Sequence, residues 1–451
     1  MRFRGMMLVL LMAVALVGPV RLAVAQAGSS AGSSVSSPAG TTQTAGSVAA
    51  QPEKPAYSLP PEKLQQAIAY SRARTVLGFA ETGWGIAQLV LLLVLGIAAW
   101  MRDVAVRRSS NRWVQGFTFF LLFLLVTTLL DLPLSMYEHH LSVQYGQSVQ
   151  HWGSWFGDQA KGFGLTYGFG GALVMLMFWV MGKSPRRWWF WFWLPTMAAV
   201  VFGVFISPLV IDPLFNKFEP LSQSNPALVA RLEQVVARGG IEIPADRMFL
   251  MKASEKVTGL NAYVTGFGAS KRVVVWDTSI AKATPDEISF IFGHEMGHYV
   301  LNHIYKGIAF TGVVLLVLFW LGFHGMQWLL ARYGGGWRIA GQSDWAALVV
   351  VLLVVSAAAF FSEPITNGYS RAQEHAADVY GQEAIHGIVG DPQRTAQAAF
   401  QVLGEQSLTD PNPSGFVEFW TFGHPSVSRR AAFAASYNPW VAGQSPRYFA
   451  K

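Results

Sequence analysis

A mostly α-helical, polytopic membrane fold with a hydrophilic α/β region set between its spans is the class this sequence predicts. Three observations predict it. Of 451 residues, 52% are hydrophobic and only 13% are charged, against about 25% charged in soluble proteins. Seventeen Trp and 31 Phe suit a chain whose aromatic rings gather at bilayer interfaces. Six apolar segments, at 79–101, 114–136, 163–181, 189–211, 308–330 and 345–361, are each long enough, or nearly so, to cross about 30 Å of hydrocarbon.

Taken in order, residues 1–25 read as a secretory signal. Arg2 and Arg4 form a basic start, 6–17 an apolar run and Ala23-Val24-Ala25 a small-residue cleavage site. The alternative is a first membrane helix, which the charge at Arg21 weakens. Residues 26–53, mostly Ala, Gly, Ser, Thr, Gln and Val, are expected to form a disordered tether. The region 54–211 holds four spans, with Gly170 and Gly171 placed for close helix contact. The hydrophilic region 212–306 opens on Asp212 and continues with a helix at 225–238 and strand-like runs at 248–252, 262–267 and 272–276. Thr284-Pro285-Asp286-Glu287 then gives a helix start, with Thr as N-cap, Pro at the first position and Glu at the third. That helix is expected over 285–302. Two further spans fill 307–361, and 362–451 reads as helices with loops, including 371–388 and 394–407.

The net charge of +7 is not a nucleic-acid signal, because much of it lies in short loops beside apolar segments. Arg102, Arg107, Arg108 and Arg112 join the first two spans; Lys183, Arg186 and Arg187 join the third and fourth; Arg332 and Arg338 join the fifth and sixth. The loop 137–160 between the second and third spans has no Lys or Arg. The positive-inside rule puts the three basic loops in the cytoplasm, with Trp188, Trp189, Trp191 and Trp193 as an interfacial anchor. The hydrophilic regions then face outward, which in a Gram-negative cell is the periplasm. No cysteine is present, which excludes disulfides, thiol nucleophiles and Cys-held zinc. Any metal must be bound by His and carboxylates.

The most informative stretch is His294-Glu295-Met296-Gly297-His298. On a helix, residues four apart sit about 40° from each other, so both imidazoles project from one face. That arrangement suits a tetrahedral Zn²⁺. Glu295 points beside the pair, where it can take a proton from a water at the metal. A catalytic zinc needs a third protein ligand, and Glu374 is the candidate, returned to the same side by two spans. Asp378, one turn on, could accept the free N–H of a ligand histidine. His375 points about 100° from Glu374. His303 reads as a polar helix-end group, and His139, His140 and His151 as polar groups of the outer loop.

With these residues in view, the chain resembles the type I CAAX prenyl proteases and their bacterial relatives, multispanning gluzincin metallopeptidases. The resemblance rests on Pro213-Leu214-Phe215-Asn216-Lys217-Phe218, Asn261-Ala262-Tyr263, Lys271-Arg272-Val273-Val274-Val275-Trp276-Asp277-Thr278, Gly293 to His298, and Leu301-Asn302-His303. It continues through Ser370-Arg371 with Glu374, Ala377-Asp378, and His424-Pro425-Ser426 with Arg430, in order from about residue 56 to the C-terminus. It implies that 212–306 is a zincin-like metallopeptidase domain and that 362–451 is a C-terminal catalytic region. His294, His298 and Glu374 would bind one Zn²⁺, with Glu295 as the base. Asn261-Ala262 would be an edge strand that pairs with substrate backbone. His424 and Arg430 would lie near the cleft, where they could hydrogen-bond an oxyanion. A ring of membrane helices around a water-filled chamber is implied too. Two departures stand out: His375 replaces a usually bulky or aromatic residue, and the outward site puts prenylated substrates in doubt, because prenylation is cytosolic.

The expected function is a membrane-embedded zinc metalloendopeptidase whose partners are an extended polypeptide substrate and the lipid bilayer. A transporter or channel with an incidental motif fits less well, because coupled transporters bury ionisable groups mid-membrane and these spans carry almost none. An inactive protease-like scaffold would be missing a catalytic group, and none is missing.

Overall fold

A computed structural model of the chain describes residues 55–266, 271–441 and 443–449. The expected signal 1–25 and tether 26–53 lie outside them. Each apolar run folds largely as helix, with ends that differ from those of the run. The first span begins far earlier than its apolar stretch, as α1 (Pro61–Val94), and breaks at Leu95-Gly96 before α2 (Ile97–Arg108). The predicted run 79–101 therefore covers parts of two helices. The second is α3 (Arg112–Gln144), N-capped by the Asn111 side chain. The third is α4 (Trp152–Leu165) and α5 (Gly171–Lys183), joined by a π-helical turn at Thr166–Gly170. There Gly171 lies so close to Phe117 that a Cβ would sit 2.7 Å from its ring, the close contact that the glycine pair predicts. The fourth is α6 (Trp188–Phe205).

The hydrophilic region then builds a four-stranded sheet. It holds β1 (Phe218–Pro220), which the sequence reading missed for its brevity, then helix α7 (Pro226–Arg238), β2 (Met248–Met251), β3 (Ala262–Thr265) and β4 (Arg272–Trp276). The strand order is β1-β2-β4-β3. β2 and β4 are parallel, and the outer pairs are antiparallel. Period-two alternation sends Val273 and Val275 into the larger core and Val274 and Trp276 into a small cluster on the other face. β3 has β4 on one side only, so it is one of the two edge strands, with β1 at the other edge.

Helix α8 (Pro285–Val300) starts with the predicted capping box: Glu287 N donates to Thr284 Oγ1, and Thr284 N donates to Glu287 Oε2. It stops at Asn302, whose φ of 59° is the left-handed conformation that Asn adopts more readily than bulkier residues. The chain then turns directly into the fifth span, α9 (His303–Tyr333). The sixth span and the helix expected at 371–388 are one element, α10 (Ala347–Ala384). Its apolar first half packs in the membrane core and its polar second half in the catalytic layer. α11 (Pro392–Gln406), α12 (Gly415–Thr421) and α13 (Val427–Ser436) complete the chain.

Among the described residues, six helices are long and apolar enough to cross a membrane. Their packing closes on itself. α1 touches α3, α3 touches α5, α5 touches α6, α6 touches α9, α9 touches α10, and α10 returns to α1. This adjacency is a ring, and it leaves each span with an outer and an inner face.

Candidate metal centre

The metal-binding candidates come from α8 and α10, which touch backbone to backbone. A Cβ on Gly381 would lie 2.7 Å from the amide nitrogen of His294, and one on Gly293 would lie 3.2 Å from the carbonyl oxygen of Gly381. Only glycines allow this approach. It sets Glu374, two turns before Gly381, beside the histidine pair.

His294 Nε2 lies 3.2 Å from His298 Nε2 and 3.2 Å from Glu374 Oε2. His298 Nε2 lies 3.4 Å from Glu374 Oε1. Ligands about 2.05 Å from a tetrahedral zinc are spaced about 3.3 Å apart, and each of these pairs shows about that spacing, with one Glu374 oxygen toward each histidine. Among the described residues this is the one group of three His, Asp or Glu side chains close enough to share an ion. Glu374 is buried, and its Oε2 has no hydrogen-bond donor, an orphaned anionic oxygen that a cation would satisfy. The donor set of two imidazoles and one carboxylate is that of a catalytic zinc.

Both imidazoles turn Nε2 to the shared centre and Nδ1 to another partner. His294 Nδ1 lies 2.8 Å from Asp378 Oδ1, the contact expected of Asp378. His298 Nδ1 lies 3.1 Å from Nδ1 of His303. His303 sits at the first position of α9, the helix end the sequence suggests, but it is buried and turned onto His298. The break at Asn302 folds the start of α9 back so that it meets His298. The Leu301-Asn302-His303 triplet was the available signal, but spacing alone does not reveal the turn.

Burial works against charge on His294, but Asp378 and Glu374 outweigh it and push its pKa up to about 10. Two carboxylates facing one imidazole give the pocket a negative field. Glu295 lies 4.0 Å from His294 Nε2 and is partly open to the cleft. Burial raises its carboxyl above the ordinary glutamate range, while His294 and His298 pull the other way.

His424 brings Nε2 to 3.2 Å from Glu374 Oε1 and keeps 44% of its side chain exposed, so it faces the cleft. Arg430 behaves differently. Its Nε donates to Asp378 Oδ2 at 2.9 Å and its Nη2 to Oδ1 at 2.7 Å, a two-point grip with only 13% exposure. The same Nη2 is 3.7 Å from Glu374 Oε2. Arg430 thus meets the centre mainly through Asp378. His375 packs its ring 4.6 Å from that of Phe433 and points out of the site. His139 is buried between Trp152 and Trp155, while His140 and His151 are exposed.

On the substrate side, β3 runs along α8. Asn261 is already engaged: its N–H donates to Ser279 Oγ, and its C=O accepts from Ser279 Oγ and from Trp276 N–H. The backbone available for pairing therefore begins at Ala262 rather than at Asn261. Ser279 is a further residue the sequence did not single out.

Residues 222–438 match peptidase family M48, and residues 43–217 match the N-terminal region of CAAX prenyl proteases, described as five membrane helices. The chain is 34% identical over 384 residues to the uncharacterized metalloprotease YhfN of Bacillus subtilis, covering 84% of this chain and 87% of that one. The chain belongs to peptidase family M48. It is also 32% identical to CAAX prenyl protease 1 of Saccharomyces cerevisiae over 196 residues, 43% of this chain and 42% of that one. The fold is that of the S. mikatae Ste24p crystal structure, with a TM-score of 0.73 and 24% identity over 84% of this chain and 90% of that chain. This M48 chain is a multi-pass integral membrane metalloprotease.

Proposed function

We propose that the M48 chain is a zinc endopeptidase that cuts extended or membrane-proximal polypeptides. The observation that carries this reading is the cluster of His294, His298 and Glu374, in which the two Nε2 atoms lie 3.2 Å apart and each lies 3.2–3.4 Å from one of the two Glu374 oxygens, with Glu295 beside it. These three residues would hold one Zn²⁺, which when bound makes a water acidic enough to ionise near neutral pH. Glu295 takes the proton from the water that adds to the peptide carbonyl and returns it to the leaving amine. His424 is the donor best exposed to the developing oxyanion. Arg430 clamps Asp378, and Asp378 fixes the His294 ring, so the pair orients the ligand. β3 supports an extended substrate by pairing along its free edge from Ala262.

The basic loops support placing the site on the outer face of a bacterial inner membrane, toward the periplasm. On that face the substrate class is unmodified polypeptide rather than prenylated protein. Purified protein in detergent should cleave an unstructured reporter peptide, and Glu295→Gln should not. Cleavage that survives Glu295→Gln would remove the mechanism. A periplasm-only reporter fused after Lys451 should be active; a silent reporter would reverse the orientation.

A further inference from the structure

The other end of the ring carries a polar feature that peptide hydrolysis does not use. α10 runs from Ala347 to the ligand Glu374, so at 1.5 Å per residue the start of that helix is roughly 40 Å from the metal centre. Beside that start, a cavity of about 440 Å³ opens between the end of α2, the beginning of α3 and the loop before α10. Arg102, Arg112, Gln115, Gln342, Asp344 and Trp345 line it.

Its two arginines differ. Arg102 is neutralised by Asp103, at 2.7 Å, and by Asp344. Arg112 has no carboxylate partner among the described residues. Its guanidinium lies 4.6 Å above the Trp345 ring, and its one hydrogen bond among the described residues is to the Ser343 carbonyl, at 3.3 Å. The Trp345 platform is fixed, because the ring is buried and its Nε1 donates to Gln115 Oε1 at 3.2 Å. A cation held over a rigid ring, with no carboxylate to neutralise it among the described residues, is a prepared anion site. The loops at this end carry nine Lys and Arg against two carboxylates, Asp103 and Asp344, so the surrounding field is positive. Val106, Trp113 and Val114 beside the opening are exposed apolar groups at the start of the spans, where acyl chains would lie.

We propose that this cavity binds the phosphate headgroup of an anionic phospholipid, with Arg112 as the principal contact. Basic pockets at the ends of membrane helices recognise such headgroups, and the apolar rim favours a lipid over free phosphate. The proposal does not depend on the peptidase reading.

The test uses the full chain in nanodiscs of phosphatidylcholine doped with phosphatidylglycerol, with retained lipid counted by native mass spectrometry. One phosphatidylglycerol should be retained in preference to phosphatidylcholine. Arg112→Gln should weaken retention about tenfold, the scale of one charge-assisted contact. Ser343→Glu, which keeps Arg112 but sets a carboxylate beside it, should do the same, and Arg186→Gln with Arg187→Gln should not. The proposal falls if the wild type shows no preference, if both pocket variants bind normally, or if the Arg186/Arg187 pair matters as much as Arg112. A separate arm adds inorganic phosphate to the protein in detergent. Displacement of the lipid by millimolar phosphate would assign the site to free phosphate and overturn the lipid claim; no displacement supports it.

Discussion

The two ends of the helix ring use charge in opposite ways. At the catalytic end, Glu374 and Asp378 are buried within about one helical turn of each other, and histidines and Arg430 surround them. At the other end, arginines and a lysine crowd short loops with two carboxylates between them. Neither pattern stabilises the fold cheaply, since buried charges cost desolvation and like charges repel. The difference follows the roles proposed for the two ends. The first gathers negative charge where a cation would sit, and the second gathers positive charge where the membrane surface lies.

That contrast can be broken at the catalytic end first. Glu295→Gln should lower peptide cleavage about a thousandfold, within the range for loss of a general base, and leave metal content unchanged. Normal turnover would separate the buried carboxylates from catalysis. Asp378→Ala should weaken zinc binding about 10–100-fold in chelator competition, because it frees the His294 ring and strands Arg430. His303→Ala should act in the same direction through His298, by less. An unaltered zinc affinity in both would make these contacts ornamental to the site.

Packing gives the next test. Gly381→Ala drives a methyl into the His294 backbone, and overpacking of this kind costs about 1–3 kcal/mol. Its cleavage rate should fall further than its melting temperature suggests, since the strain lands on a ligand. The smallest effect should come from Asp212, which burial pushes up to about 6 against the pull of Arg272 and Tyr263. Its protonated form favours the folded state. That stabilisation is complete below the ordinary Asp pKa of about 3.9 and is lost as pH rises through about 6. Asp212→Asn should therefore melt higher than wild type at pH 8 and equally at pH 4. A lower melting temperature at pH 8 would mean that the ionised form is the one the fold wants.

Legibility in the sequence followed the same division. The six spans and the basic loops were readable because hydropathy and loop charge are local properties. Helix ends were not: α1 extends well ahead of its apolar run, and α10 carries a membrane half and a catalytic half without a break. The HExxH pair was readable because one helix fixes both rings. Glu374 needed the ordered resemblance as well, since its approach depends on the contact between Gly293 and Gly381, which no periodicity reveals. His303 was missed because its role arises from a turn at Asn302. Arg430 was placed near the cleft, yet its grip on Asp378 could not be read from spacing.

Two imidazoles and one distant carboxylate are proposed to share a single ion. Zinc content of the purified wild-type chain, set beside that of a Glu374→Ala variant, tests it most directly. About one zinc per chain in the wild type and a large loss in the variant are expected. Full zinc occupancy without the Glu374 carboxylate would contradict the account.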